Sequence, residues 1–234
     1  MLQQRMLSQV NHGPLKVASL HDVLQYQNSD ITLKFCKEWD VSRSEADDIF
    51  TETKKFLYLA AHCQTECFTV SIYQPLQVID EMWHTFLQFT DQYYHFCEHY
   101  MGGFLHHFPF TRTMLQQEIK SVSLAGTSFE KYKKEAFLAQ INKTKEILGD
   151  ETIIKWYGEY AHHYSIDRLN ALRKPLAASE TSRHSENLIS AEVLAMPKEQ
   201  ILKFIMDRQS IVSVTCGCSG KGCGAGCACN SGHV

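Results

Sequence analysis

The 234-residue chain has little of what marks several large classes of protein. Nothing in it approaches the unbroken apolar stretch that a bilayer-spanning helix needs, so no membrane span is expected. No basic start leads into an apolar run, which predicts a chain without a secretory signal and a cytoplasmic setting. The net charge is only −3, with 12 histidines, so no basic surface argues for nucleic acid. No stretch of useful length alternates polar with apolar residues, and strands are not expected. A nucleophile–base pair, a phosphate-cradling glycine loop and a cofactor fingerprint are all missing, which weighs against most enzyme classes.

What is present suits a packed helical protein. The chain is 44% hydrophobic and 11% aromatic, enough for a real core. Nine cysteines is an odd number, and in a chain without a secretory signal they read as reduced thiols open to metal or redox chemistry. The expected fold is all-α: one helical-bundle domain followed by a disordered Gly/Cys-rich tail. The expected divisions are a lead-in at 1–29, the helical domain at 30–174, a polar linker at 175–196, an amphipathic helix at 197–212 and the tail at 213–234.

Periodicity and capping set the elements. Leu20 to Tyr26 suits a short helix, and Ser29 or Asp30 can cap a helix over Ile31 to Trp39. Ser42 with Glu45 forms a capping box ahead of Ala46, Ile49, Phe50, Phe56, Leu57 and Ala60, which repeat at helical spacing to about His62. Pro75 suits the first turn of the next helix. A helix over Met114 to Ser121 ends at a Gly126 turn. Ser128 caps a long helix, Phe129 to Leu148, with Phe129, Tyr132, Ala136, Phe137, Ile141 and Ile147 expected inward. After Gly149 a further helix places Ile153, Trp156, Tyr157 and Tyr160 in the core. Pro197 opens the helix Lys198 to Arg208, amphipathic through Ile201, Phe204 and Ile205, with a protein partner as one use for its apolar face.

The chemistry concentrates in residues 79–107, IDEMWHTFLQFTDQYYHFCEHYMGGFLHH. On a helix, Asp80 and His84 project from one side, on the shoulder of the stripe Ile79, Met82, Trp83 and Phe86. Cys97 would lie roughly 20 Å further along an unbroken helix, so a shared site needs a break, expected at Thr90-Asp91. A second helix would then turn Tyr93, Phe96, Cys97 and Tyr100 inward and end at Gly102-Gly103. The chain returns with His106 and His107, and Pro109 blocks an immediate new helix. Asp80, His84, Cys97 and one of the two histidines make a zinc-like donor set that iron or copper would also accept. Each part has a plainer reading: Cys97 as core filling, Asp80 with His84 as a helix-stabilising pair, and His95 with His99 as solvated. Cys63 and Cys67 beside His62 read as helix-end filling rather than a thiol site.

Asp80-x-x-Trp83-His84, then Tyr93-x-x-x-Cys97, Gly102 and His106, resembles the core of the glycine-rich domain-containing protein family, best known from plants. Lys145 to Gly149 through Trp156 resembles a later segment of that family, and CGCSGKGCGAGC resembles its Gly/Cys-rich tail. The likeness spans about residues 30 to 160 and the tail. It implies a helical domain and favours His106 over His107 as the fourth ligand.

The tail carries Cys216, Cys218, Cys223, Cys227 and Cys229 among glycines, too little apolar surface to fold alone. Its CxC spacing suits a soft ion such as Cu(I) or Zn(II), which would supply the ordering energy. The leading expectation is thus a cytosolic metal-binding protein, with one zinc-like ion in the domain and thiolate binding by the tail. The alternatives are an enzyme using Asp80, His84 and His106 around an open position, a helical interaction module, and a carrier of a modifiable Cys-rich tail.

Overall fold

A computed structural model describes residues 16–66, 68–174 and 190–207. The chain runs through α1 (Leu20–Gln25), α2 (Ser29–Glu38), α3 (Arg43–Thr65), α4 (Gln77–Gln88), α5 (Thr90–Phe96), α6 (Arg112–Leu124), α7 (Phe129–Leu148), α8 (Asp150–Ile153), α9 (Tyr160–His163) and α10 (Ile166–Leu172). Two further helices, α11 (Ala191–Leu194) and α12 (Lys198–Asp207), follow. Among the described residues there is no strand, only a single antiparallel bridge between Trp39 and Arg173. The architecture is all-α. The five tail cysteines, Cys67 and the C-terminal end of the expected 197–212 helix lie outside the described residues.

The caps explain most starts. Ser42 accepts from the Glu45 amide at 3.2 Å, and Ser128 from that of Lys131 at 3.2 Å. The cap of α2 is Asn28, which accepts from the Asp30 amide at 3.1 Å, so neither Ser29 nor Asp30 holds that position. Pro75 sits not in α4 itself but in a 3₁₀ turn, Gln74–Leu76, that feeds it. Two π-helical turns, Cys97–Met101 and Ile154–Glu159, continue α5 and α8.

The core forms where α3 meets α4. Ile49, Phe50, Phe56 and Leu57 of α3 bury against Ile79, Met82, Trp83 and Phe86 of α4. Ile31 and Phe35 of α2, Tyr93, Phe96 and Cys97 of the next helical stretch, and Trp156 and Tyr160 close the remaining sides. Each such side chain contributes about 1.5–3 kcal/mol on full burial. Because α3 is enclosed on several faces, it also buries Glu52 and Lys54, and both have hydrogen-bond partners. Glu45, Asp48 and Glu52 recur at one-turn spacing along α3. They accept from the Tyr164 hydroxyl at 2.6 Å, the Tyr160 hydroxyl at 3.0 Å and the Trp156 indole at 2.8 Å. Lys155 joins them, 3.2 Å from Glu52. On α7 the fully buried positions are polar, Gln140 and Thr144, while its inward apolar side chains are only partly covered. Gln140 accounts for this by pairing with both the amide and the carbonyl of Ser71, at 2.7 and 2.9 Å.

Candidate metal centre

Helix α4 supplies two of the candidate ligands and a loop supplies the third. Asp80 and His84 are one turn apart, with His84 Nε2 4.0 Å from Asp80 Oδ2. The helix stops at Gln88 because Phe89 leaves helical dihedrals (φ −90, ψ 61), so the break falls one residue before Thr90, without a side-chain cap. The chain then climbs α5 and the π turn, and Gly102 ends that turn in the left-handed conformation (φ 71). The reversal brings residues 104–107 back across α4.

A buried relay pins this return. The Trp83 indole donates to the Tyr93 hydroxyl at 3.1 Å, and that hydroxyl donates to the Leu105 carbonyl at 2.7 Å. Burial raises the Tyr93 phenol, which keeps it a neutral donor. The rings of Phe104 and His106 lie 4.9 Å apart and those of His106 and Phe108 5.4 Å apart, so alternate residues share a side, as in extended chain. Leu105 faces inward and is buried, and two residues on so does His107.

His107 Nε2 sits 2.8 Å from Asp80 Oδ1, and its ring lies 4.6 Å from that of His84 and 4.3 Å from that of Trp83. One ligand atom each from Asp80, His84 and His107 falls within 4.8 Å of the others, and among the described residues no other trio of His, Cys, Asp or Glu does so. The side chains of Asp80 and His107 are largely covered, at 12% and 18% exposure, whereas His84 is 46% exposed. The group therefore opens to solvent past His84.

Two residues around the group escape a reading of the motif alone. Gln77 Nε2 lies 3.4 Å from Asp80 Oδ2, and Glu81 Oε2 lies 3.8 Å from His84 Nδ1. Both are three residues from the side chain they meet, and that spacing is the signal in the sequence. Glu81 also lies 3.8 Å from Arg173 Nη1, whose guanidinium stacks over the Trp39 ring at 4.7 Å.

The structure brings together only part of the expected donor set. Asp80 and His84 meet as the spacing suggests. His106, favoured by the family spacing, is exposed between Phe104 and Phe108, and His107 takes the inward position. Cys97 is fully buried and outside the group. Its thiol faces the Tyr93 hydroxyl and the Leu105 backbone, and burial pushes it up to about 11. Cys63 is likewise buried in the core, and burial pushes its thiol to about 11. His95 and His99 stand on an exposed face.

The fold and this group together define a helical bundle with a candidate two-histidine, one-carboxylate metal site. Over residues 24–139, from α1 into α7, the chain is similar to the model of a family described as UCP032817-like. No curated protein and no solved structure matches it.

Proposed function

We propose that the helical domain binds one transition-metal ion, zinc by the character of its donors, through Asp80, His84 and His107. The observation that carries this is the meeting of three ligand atoms from two separate elements within 4.8 Å. Around a tetrahedral zinc ion such atoms stand roughly 3.3 Å apart. The 4.0 Å separation of Asp80 from His84 and the 2.8 Å contact of Asp80 with His107 bracket that value. Small side-chain rotations would convert the hydrogen-bonded trio into a coordination sphere. Gln77 and Glu81 supply the outer contacts that metal-binding carboxylates and histidines usually have.

Three protein ligands leave one position open, and the exposure of His84 puts it toward solvent. That favours an exchangeable or reactive ion over a closed structural one. Free thiols at Cys36, Cys63 and Cys97 suit a reducing compartment.

The rival reading is a brace in which Asp80 simply fastens His107 to α4. Zinc binding to the purified full-length protein, measured by calorimetry and by metal content after dialysis, separates the two. The proposal expects one tightly held equivalent, lost in Asp80→Asn, His84→Ala and His107→Ala and kept in His106→Ala and His95→Ala. A brace would show no domain zinc and a loss of thermal stability confined to Asp80→Asn and His107→Ala.

A further inference from the structure

A second group of charged side chains gathers away from the metal ligands. Glu45, His163, Tyr164, Arg168 and Leu172 line a cavity of about 300 Å³, at the small end of the range for metabolite sites. The path of the chain explains why they meet. Tyr164 leaves helical dihedrals (φ −122, ψ 48), and Ser165 then caps α10 by accepting from the Arg168 amide at 3.3 Å. Arg168 and Leu172, one turn apart on α10, share a side. The Asp40 amide donates to the Leu172 carbonyl at 2.8 Å, which fastens the end of α10 just ahead of α3, where Glu45 stands. We propose that this cavity binds a free amino acid with an uncharged aliphatic side chain, its carboxylate on Arg168 and its ammonium on Glu45.

The charges on the cavity wall single out this class. Glu45 stands at the capping-box position after Ser42, yet its hydrogen bond goes to the Tyr164 hydroxyl, which donates to Oε1 at 2.6 Å. Burial, then the Glu45 carboxylate, raises the Tyr164 phenol, so it stays a neutral donor and holds that carboxylate in place. Among the described residues Glu45 Oε2 has no hydrogen-bond donor, and neither Glu45 nor Arg168 has an ion-pair partner. Opposite charges thus face one cavity without touching each other. A simple anion there would meet Glu45, and a simple cation would meet Arg168. A zwitterion answers both, its carboxylate matching the guanidinium fork and its ammonium the open oxygen of Glu45. Tyr164 and Leu172, both buried, supply apolar wall for an aliphatic side chain, and His163 stands exposed at the mouth. None of the five residues is a candidate metal ligand, so this site is independent of the metal reading.

L-Leucine titrated into the full-length protein tests this, followed by calorimetry and by amide NMR shifts. Leucinamide and 4-methylpentanoate serve as probes that each lack one of the two ionic groups. The expected result is one saturable equivalent of leucine, with shifts centred on residues 163–172 and the start of α3. Leucinamide, without the carboxylate, and 4-methylpentanoate, without the ammonium, should each bind about tenfold more weakly or worse. Arg168→Gln should weaken leucine by about the same factor and leave leucinamide unchanged. Glu45→Gln should weaken leucine likewise without weakening 4-methylpentanoate. Arg168 is exposed and in no ion pair, so its variant tests the site even if Glu45→Gln loosens the packing of Tyr164. His84→Ala should leave leucine binding intact. Leucine that does not bind overturns the proposal, as do shifts centred elsewhere or an affinity that Arg168→Gln leaves alone. Leucinamide or 4-methylpentanoate bound as tightly as leucine overturns it too, because a single charge would then suffice.

Discussion

Tyr93 shows how one side chain can choose between neighbours. Its hydroxyl holds the Leu105 carbonyl, and in extended chain that choice turns His107 inward and His106 outward. The sequence contains the cue, a buried Leu105 two residues before His107, but only the hydrogen bond makes it decisive. Asp80 and His84 were readable because one helical turn joins them. Cys97 was misleading because a cysteine on an inward helix face looks the same whether it fills a core or faces a ligand. Lys54 illustrates the same scale without any metal. It is 2% exposed, with no carboxylate partner among its hydrogen bonds, and its ammonium donates to the carbonyls of Leu24 at 2.9 Å and Tyr26 at 2.8 Å. Lys54→Ala strands both carbonyls at the end of α1 and opens a cavity, and should cost about 2–4 kcal/mol by urea denaturation. A loss below about 1 kcal/mol would show that water replaces the amine freely.

Helix ends were the most legible elements. Ser42 and Ser128 cap where the pattern places them, and Gly126 and Gly149 take positive φ at the ends of α6 and α7. The π turns were not legible, since nothing in residues 97–101 or 154–159 departs from helical periodicity. The residues expected inward on α7 are all partly covered, but its two most deeply buried positions, Gln140 and Thr144, were not legible, because Gln140 is an amide serving a loop 69 residues away in sequence. Two glycines give opposite predictions at this scale. Gly149 has φ +85 and open space around the place a Cβ would take, so Gly149→Ala meets no clash but a backbone conformation that alanine resists. It should lose about 1–3 kcal/mol. Gly158 also has open space but no positive φ, and lies within a helical turn. Gly158→Ala should gain about 0.5–1 kcal/mol through lower unfolded-chain entropy and better helix propensity. Equal signs in thermal unfolding would refute the conformational argument for both.

Across the molecule, the buried titratable groups fix how stability responds to base. Burial pushes the thiols of Cys63 and Cys97 up from 9.0 to about 11. Burial, reinforced at Tyr132 by Glu118, pushes the phenols of Tyr132 and Tyr157 from 10.0 to about 12. Burial raises Tyr160 and Tyr164 as well, aided by the carboxylates of Asp48 and Glu45 that they donate to. Each of these groups holds its proton more tightly when folded. Its contribution is complete below the unfolded value and is lost as pH rises toward the folded one. Lys54 runs the other way, since burial lowers its amine from 10.5 to about 8. Between those values the unfolded chain binds the proton that the folded chain has released, so this one group makes stability climb with pH. Around pH 8 Lys54 outweighs the thiols, which only begin to ionise in the unfolded chain there, and the urea midpoint should rise slightly. Above about pH 9 the two thiols oppose it, then the phenols join, and the midpoint should fall steeply through pH 11. Lys54→Met should abolish the early rise and keep the later fall. Thiol labelling supplies an independent check, because Cys63 and Cys97 should resist alkylation until the same pH at which the fold opens. A midpoint that stays level from pH 9 to 11 would mean that the aromatic face of α3 and the Tyr93–Cys97 cluster are wetter than their packing implies.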